Sequence, residues 1–463
     1  MFIGRDKELK GLDQLYKSDK FEFAVIYGRR RVGKTALINH FINEKKAIYF
    51  MGVESNEKQN LENFSKSIIE FSSGIQTETT FASYQVALEY IFKLADKERV
   101  ILAIDEYPYV ARASRSLAST LQMLIDKYKD NSKLMIILCG SSMSYMEDQV
   151  LSYKSPLYGR RTAQMKIEPF DFDECCKYLK GLTDEDKAYV YGIVGGTPQY
   201  LIQINDKLSI EDNVKNTYLN PMSFLYEEPL NLLKQEVREP AIYNAIITAI
   251  ATGHSRMSEI STKVGESTTV CSGYLKSLIS LGIIKKETPY GEKDSKKSIY
   301  SIEDNMFYFW YRFVLDNTSV IARGAVDLVY KRIETQLNDY MGRVFEDICR
   351  QYLWKLLLKG KMPIEFVSLG RWWGNDARKK TQTEIDIMGE QDSSSAFFAE
   401  CKWRNEKVDL DVLNTLVDRS GLFHYTNVYY FLFSKTGFTK SCMEKAETMG
   451  NVTLVTYKDI VDL

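Results

Sequence analysis

Histidine is scarce in this chain. Three residues in 463, at positions 40, 254 and 424, leave little material for a histidine-rich metal site. The seven cysteines (139, 175, 176, 271, 349, 401 and 442) include no CxxC pair, so neither a zinc ribbon nor a disulfide framework is expected. Their odd number in a long chain fits a reducing cytosol. No apolar run reaches the roughly 18 residues that a membrane span needs. The opening MFIGRDKELK is charged where a secretion signal would be apolar. Net charge is missing as well. Sixty-one Lys and Arg against 62 Asp and Glu leave −1, so any nucleic-acid contact has to come from local patches. What is present is ordinary for a soluble globular protein: 44% hydrophobic and 27% charged residues, which excludes disordered and fibrous classes. The 30 tyrosines are spread along the chain and read mostly as packing. At roughly 100–200 residues per domain, the length asks for about three domains.

The pattern divides into blocks. Apolar or β-rich runs at 23–27, 47–51, 100–104 and 134–138 read as strands covered on both faces, with amphipathic helices such as 84–94 and 117–128 between them. That alternation predicts a parallel α/β sheet over 1–168. Residues 172–179 and 184–194 read as a helical lid within 169–215. Helical periodicity at 242–251, 257–264 and 269–281, then strand-like 283–287 and 298–302 around a turn, gives the winged-helix order within 216–333. Residues 334–463 open with a long helix, followed by β-like runs at 364–369, 384–388, 396–401, 428–433 and 452–457.

Chemistry concentrates first at Gly28-Arg29-Arg30-Arg31-Val32-Gly33-Lys34-Thr35, a GxxxxGK(S/T) loop between a strand and a helix. Glycines let backbone amides turn inward around phosphates, and the helix N-terminus adds a favourable dipole. Lys34 would contact the β and γ phosphates of ATP, and the Thr35 hydroxyl would hold Mg²⁺. In the run 100–106, Asp105 emerges at a strand's carboxyl end, where it can join the Mg²⁺ shell. Glu106 is then placed to orient or deprotonate the attacking water. The strand 134–138 ends at Ser141 and Ser142. Ser141 is the first candidate to touch the γ-phosphate or the water, and a plain turn is the alternative. Arg160 and Arg161 lie on an expected loop. Either could stabilise transition-state charge on a neighbouring copy's nucleotide, or both could be ordinary surface arginines.

These residues resemble the archaeal-type ATPases of the AAA+/STAND group of P-loop proteins. Phe2-Ile3-Gly4-Arg5 resembles their FxGR box near the nucleotide base, and Gly195-Gly196-Thr197-Pro198 resembles their GGxP lid element. The resemblance thus implies Phe2, Arg5 and Pro198 as nucleotide-binding residues. The segments 223–228, 309–313, 370–373 and 400–403 resemble members with a winged-helix segment and a C-terminal nuclease-like domain, so the likeness extends along the whole chain.

Two further constellations bear on partners. In the helix-turn-helix reading, Ser267, Thr268, Thr269 and Ser272 open the second helix, with only Lys276 as a cation. The wing carries Lys293, Lys296 and Lys297 beside Glu292 and Asp294. A DNA reader and a structural connector both fit. In the C-terminal block, period-two alternation points Glu384 and Asp386 to one strand face and Ile385 and Ile387 to the other. A hairpin would converge Asp386, Glu400 and Lys402. The carboxylates could bind Mg²⁺ or Mn²⁺ against a scissile phosphate while the lysine steadies charge. Glu346 on a preceding helix is the candidate fourth member. This order resembles the PD-(D/E)xK nuclease core, with Ile385 where the name has proline. Arg371, Arg378, Lys379 and Lys380 could meet a phosphate backbone. An inactive remnant remains the alternative. The sequence therefore leaves two functional readings. One is an oligomer-capable cytosolic ATPase that controls a DNA-directed domain. The other is a nucleotide-dependent switch and scaffold that binds a protein partner.

Overall fold

The computed structural model describes residues 2–76, 78–293 and 296–463, so Asp294 of the expected wing lies outside the described residues. The chain falls into two compact units, Met1–Phe170 with Thr197–Gln199, and Asp171–Gly196 with Tyr200–Leu463. The residues expected as lid, winged helix and C-terminal domain fall in the second unit, apart from 169–170 and 197–199. The expected boundary at 333/334 lies inside one continuous helix, Val326–Leu358.

The first unit is built on β1 (Glu22–Tyr27), β2 (Ala47–Met51), β3 (Val100–Asp105), β4 (Leu134–Gly140) and β5 (Ala163–Lys166), all parallel, in the order β2-β3-β4-β1-β5. The central strands β1, β3 and β4 are apolar on both faces because both faces are covered. Phe23, Val25, Leu102, Ile104, Ile136 and Leu138 enter one core with Leu88 and Leu121 of the helices Tyr84–Leu94 and Leu117–Tyr128. Ala24, Ile26, Ile101, Ala103, Met135 and Ile137 enter the other core with Leu12 and Leu37 of Asp6–Lys17 and Lys34–Ile42. Each fully buried large side chain contributes about 2 kcal/mol. The strand order has a functional consequence. Because β4 lies between β1 and β3, the loop after β1, the serines after β4 and the acids at the end of β3 emerge side by side at the carboxyl edge of the sheet.

In the second unit, the helices Pro240–Ala251, Met257–Val264 and Thr268–Ser280 precede an antiparallel pair, β6 (Ile284–Glu287) and β7 (Ile299–Ile302). A five-stranded mixed sheet follows: β8 (Gly370–Asp376), β9 (Thr381–Glu390), β10 (Ser395–Lys402), β11 (Asn427–Ser434) and β12 (Val452–Thr456) in sequential order. β8, β9 and β10 pair antiparallel, and β10, β11 and β12 pair parallel. The apolar run 364–369 is not the strand its composition suggests. Phe366 instead anchors a loop by packing its ring on Trp354 and Phe397, and the strand begins at Gly370. A register shift between Gly370 and Trp372 interrupts simple alternation on β9, so Ile385 and Met388 share one core.

Candidate functional site

The phosphate loop is shaped by backbone requirements that side chains would violate. Gly28 has φ +154°, and a Cβ there would stand 2.4 Å from the Ile167 carbonyl oxygen. Gly33 has φ +92° at the cap of Lys34–Ile42, a conformation that costs other residues about 1 kcal/mol or more. Buried Lys34 donates through Nζ to the carbonyl oxygens of Gly28 at 2.8 Å and Arg29 at 2.9 Å. The Thr35 hydroxyl donates to Asp105 Oδ2 at 2.6 Å. The other Asp105 oxygen accepts the Glu106 amide at 2.9 Å. Glu106 itself sits at φ +48°, in the left-handed region at the turn into Tyr107–Ala113. Ser141 donates to Glu106 Oε2 at 2.9 Å. Thr35, Asp105, Glu106 and Ser141 thus form one connected cluster across three neighbouring strand ends, and Lys34 precedes Thr35 in the loop.

Flanking residues brace the loop. Arg5 donates to the Val32 carbonyl at 2.9 Å and lies over the Phe170 ring at 4.7 Å. Phe2 stacks on His40 with ring centroids 4.1 Å apart. Arg29 donates to the Thr197 hydroxyl at 3.0 Å, and Arg30 donates to the Tyr109 hydroxyl at 3.2 Å. Pro198 Cγ stands 3.7 Å from where a Cβ on Gly33 would be. Arg31 occupies the left-handed region at φ +73°, and Val32 is fully buried beneath the loop.

Sequence reasoning overlooked Tyr49 in the middle of β2. Its hydroxyl donates to Asp105 Oδ2 at 3.0 Å. Burial, and then the Asp105 charge, push its ionisation well above the usual phenol range, so it stays a proton donor. A lone tyrosine in a strand carries no motif. Only the β2–β3 pairing, which sets Met51 opposite Asp105, could have revealed it.

The two loop arginines are otherwise engaged. Arg160 grips Asp126 with Nε and Nη2 at 3.0 and 2.7 Å, and Arg161 donates to the Leu151 carbonyl at 3.0 Å. Their hydrogen-bond partners among the described residues lie outside the phosphate loop.

In the second unit, Asp386, Glu400 and Lys402 do meet. Lys402 Nζ is 2.7 Å from Glu400 and 4.0 Å from Asp386. Asp386 Oδ2 accepts the Cys401 amide at 2.8 Å. Arg419, absent from the sequence reading, pairs with Glu400 at 3.3 Å. Burial, and then the Asp386 charge, raise the Glu400 carboxyl, with Lys402 pulling the other way. Glu346 pairs with Arg350 at 3.1 Å. Its carboxyl is pushed up to about 7, first by burial and then by Asp386. Among the described residues, no group of three or more His, Cys, Asp and Glu side chains could hold a metal ion. The basic residues expected to face phosphate have carboxylate partners: Arg371 with Glu384, Arg378 with Asp376 at 2.9 Å, and Lys379 with Asp418 at 2.7 Å. Lys380 is exposed and sits at φ +57°.

The Glu346 shift predicts a pH-dependent stability. The folded-state value lies above the unfolded carboxyl value, so ionisation opposes folding. The penalty is absent below about pH 4, grows through neutral pH and is complete above 7. Glu346→Gln is expected to stabilise the protein by about 1–3 kcal/mol at pH 8 and much less at pH 5. Thermal melts at the two pH values check this, and an equal gain at both would remove the assignment.

Residues 2–204 match a family model described as an ATPase domain predominantly from Archaea. Residues 310–412 match one described as Archaea bacterial proteins of unknown function. The uncharacterized protein MJECL04 of Methanocaldococcus jannaschii is 36% identical over 414 residues, 89% of this chain and 89% of that one. The uncharacterized ATP-binding protein PYRAB12000 of Pyrococcus abyssi is 24% identical over 242 residues, 46% of this chain and 73% of that one. Among solved structures, the Walker-type ATPase PABY2304 of Pyrococcus abyssi matches with a TM-score of 0.52 at 21% identity, covering 67% of this chain and 96% of that one, which is a likeness of fold. With its phosphate loop on a parallel sheet and an archaeal-type ATPase domain over residues 2–204, the chain belongs to the same family as MJECL04 of Methanocaldococcus jannaschii.

Proposed function

We propose that this protein binds ATP at the loop 28–35, hydrolyses it, and couples its nucleotide state to a DNA-directed second unit of winged-helix and nuclease-like design. The observation that carries the hydrolytic step is the connected set Thr35–Asp105–Glu106–Ser141 at the mouth of the loop. Lys34 exchanges its carbonyl partners for phosphate oxygens. Glu106, held by Ser141, takes the proton of the attacking water. The hard oxygens of Thr35 and Asp105, already 2.6 Å apart, suit Mg²⁺. That ion would neutralise charge on the β and γ phosphates. In the second unit, Asp386 and Glu400 would hold Mg²⁺ or Mn²⁺ and Lys402 would face the developing charge. The exposed Ser267, Thr268 and Thr269 at the start of Thr268–Ser280 support a role in reading DNA.

The internal pairing of Arg371, Arg378 and Lys379 favours a second reading, in which the unit docks a protein partner. An ATPase rate measured with and without DNA separates the two. Stimulation supports the first, and an unchanged rate with partner capture by the ATP-bound form supports the second.

If copies of the chain assemble, Arg161 is better placed than Arg160 to act across them, because Arg160 is held by two bonds to Asp126. Arg161→Ala is expected to bind ATP normally and hydrolyse it about 10³-fold more slowly. Mixing it with Lys34→Ala should restore part of the rate. A strictly monomeric protein without rescue would argue against action in trans.

A further inference from the structure

A cleft of about 430 Å³ opens in the second unit beside the carboxylate–lysine cluster. That volume lies within the range of sites for small ligands, about 300–1,000 Å³. Its walls come from separate segments. Arg256 stands at the start of Met257–Val264, Arg371 and Trp373 lie on β8, Glu384 lies on β9, and Arg419 lies in the last turn of Leu410–Ser420. Backbone bonds tie these segments together. The Tyr290 amide donates to the Arg371 carbonyl at 2.9 Å, and the Tyr300 amide donates to the Ser255 carbonyl at 2.7 Å.

Three guanidiniums against one carboxylate make the lining cationic. Arg371 Nε is buried without a hydrogen-bond partner among the described residues. Arg419 reaches from the cleft wall to Glu400 at 3.3 Å, and Glu400 reaches on to Lys402 at 2.7 Å. An anion in the cleft would therefore lie one side chain away from the cluster. We propose that the cleft binds one nucleotide of a single-stranded nucleic-acid segment, with Arg371 and Arg419 on the phosphate and Trp373 beneath the base.

The chemistry favours a single strand. Guanidiniums match phosphate with paired donors. An indole offers a stacking face that any unpaired base can use, whereas bases inside a duplex are already stacked. Arg371 and Arg419 would give up Glu384 and Glu400 on binding, which would leave Glu400 with Lys402 alone at the moment substrate arrives. The inference rests on the nucleic-acid-directed reading of this unit and names where the strand enters.

The test uses the full chain in EDTA, without nucleotide, titrated against a fluorescein-labelled 15-mer of deoxythymidylate. Arg371→Gln and Trp373→Leu are each expected to weaken binding about tenfold, and Trp373→Phe should recover most of it. Arg371→Gln should also lower the salt slope by about one. Melting temperature and ATPase rate report that the variants fold. Parental affinity in both variants, or no binding by the parent, would overturn the assignment even if metal-dependent cleavage were found. Displacement by thymidine monophosphate or inorganic phosphate as effectively as by the oligonucleotide would also overturn it, in favour of a free-anion site. Conversely, loss of binding in the variants with no cleavage under Mg²⁺ or Mn²⁺ would keep the cleft and reject the nuclease.

Discussion

Lys34→Ala and Glu106→Gln are expected to fail in different ways. Lys34 is the point charge at the centre of the loop, and it donates to the loop carbonyls of Gly28 and Arg29. Without it, the β and γ phosphates lose their charge-assisted bonds. ATP affinity should fall about 100-fold, equivalent to about 3 kcal/mol. Turnover at ordinary ATP concentrations falls with it. Glutamine at 106 keeps the shape, still accepts from Ser141 and leaves the Thr35–Asp105 pair untouched. ATP binding should therefore be retained while the rate of phosphate release drops about 10²–10⁴-fold, because the base is gone. Calorimetric titration with ATP, alongside a phosphate-release assay, reads both effects. Glu106→Gln hydrolysing ATP at the parental rate would end this assignment.

The parts of this site that could be read from the sequence are local ones. The loop 28–35 announces itself because eight consecutive residues must satisfy one backbone path. Asp105 and Glu106 stand out because a buried strand ends there in two acids. Ser141 was nameable from its position at a strand end, but its bond to Glu106 depends on β4 inserting between β1 and β3, a matter of strand order that no local pattern encodes. Tyr49 and Arg419 were not legible at all. Each is an ordinary residue on an ordinary element, brought to a carboxylate 56 and 19 positions away in the sequence. The C-terminal strands show the same limit. Alternation brought Asp386, Glu400 and Lys402 together, yet it could not anticipate the register shift opposite Gly370 and Trp372. Nor could hydrophobicity distinguish a strand at 364–369 from a loop pinned by Phe366.

Removing the Asp386 carboxylate charge is expected to abolish any Mg²⁺- or Mn²⁺-dependent DNA cleavage and leave ATP hydrolysis intact. The choice of substitution matters. Asp386 accepts the buried Cys401 amide, so alanine strands that donor at a cost of about 1–3 kcal/mol, and lost activity would be confounded with a weakened strand pair. Asparagine keeps an acceptor for the amide and removes only the charge. Its absence should also be felt at Glu346, whose raised carboxyl owes its second contribution to Asp386. The pH-dependent gain from Glu346→Gln should therefore shrink in an Asp386→Asn background, which couples the two positions through a measurement independent of cleavage. Lys402→Ala should likewise lose cleavage, while Glu400 keeps Arg419 as a partner. Assays on single- and double-stranded DNA, with calorimetry against Mn²⁺, read the outcome. Cleavage by Asp386→Asn at the parental rate would assign the activity elsewhere. A parent protein that neither binds Mn²⁺ nor cuts, with or without ATP, would make this unit a docking module whose carboxylates serve only its internal ion pairs.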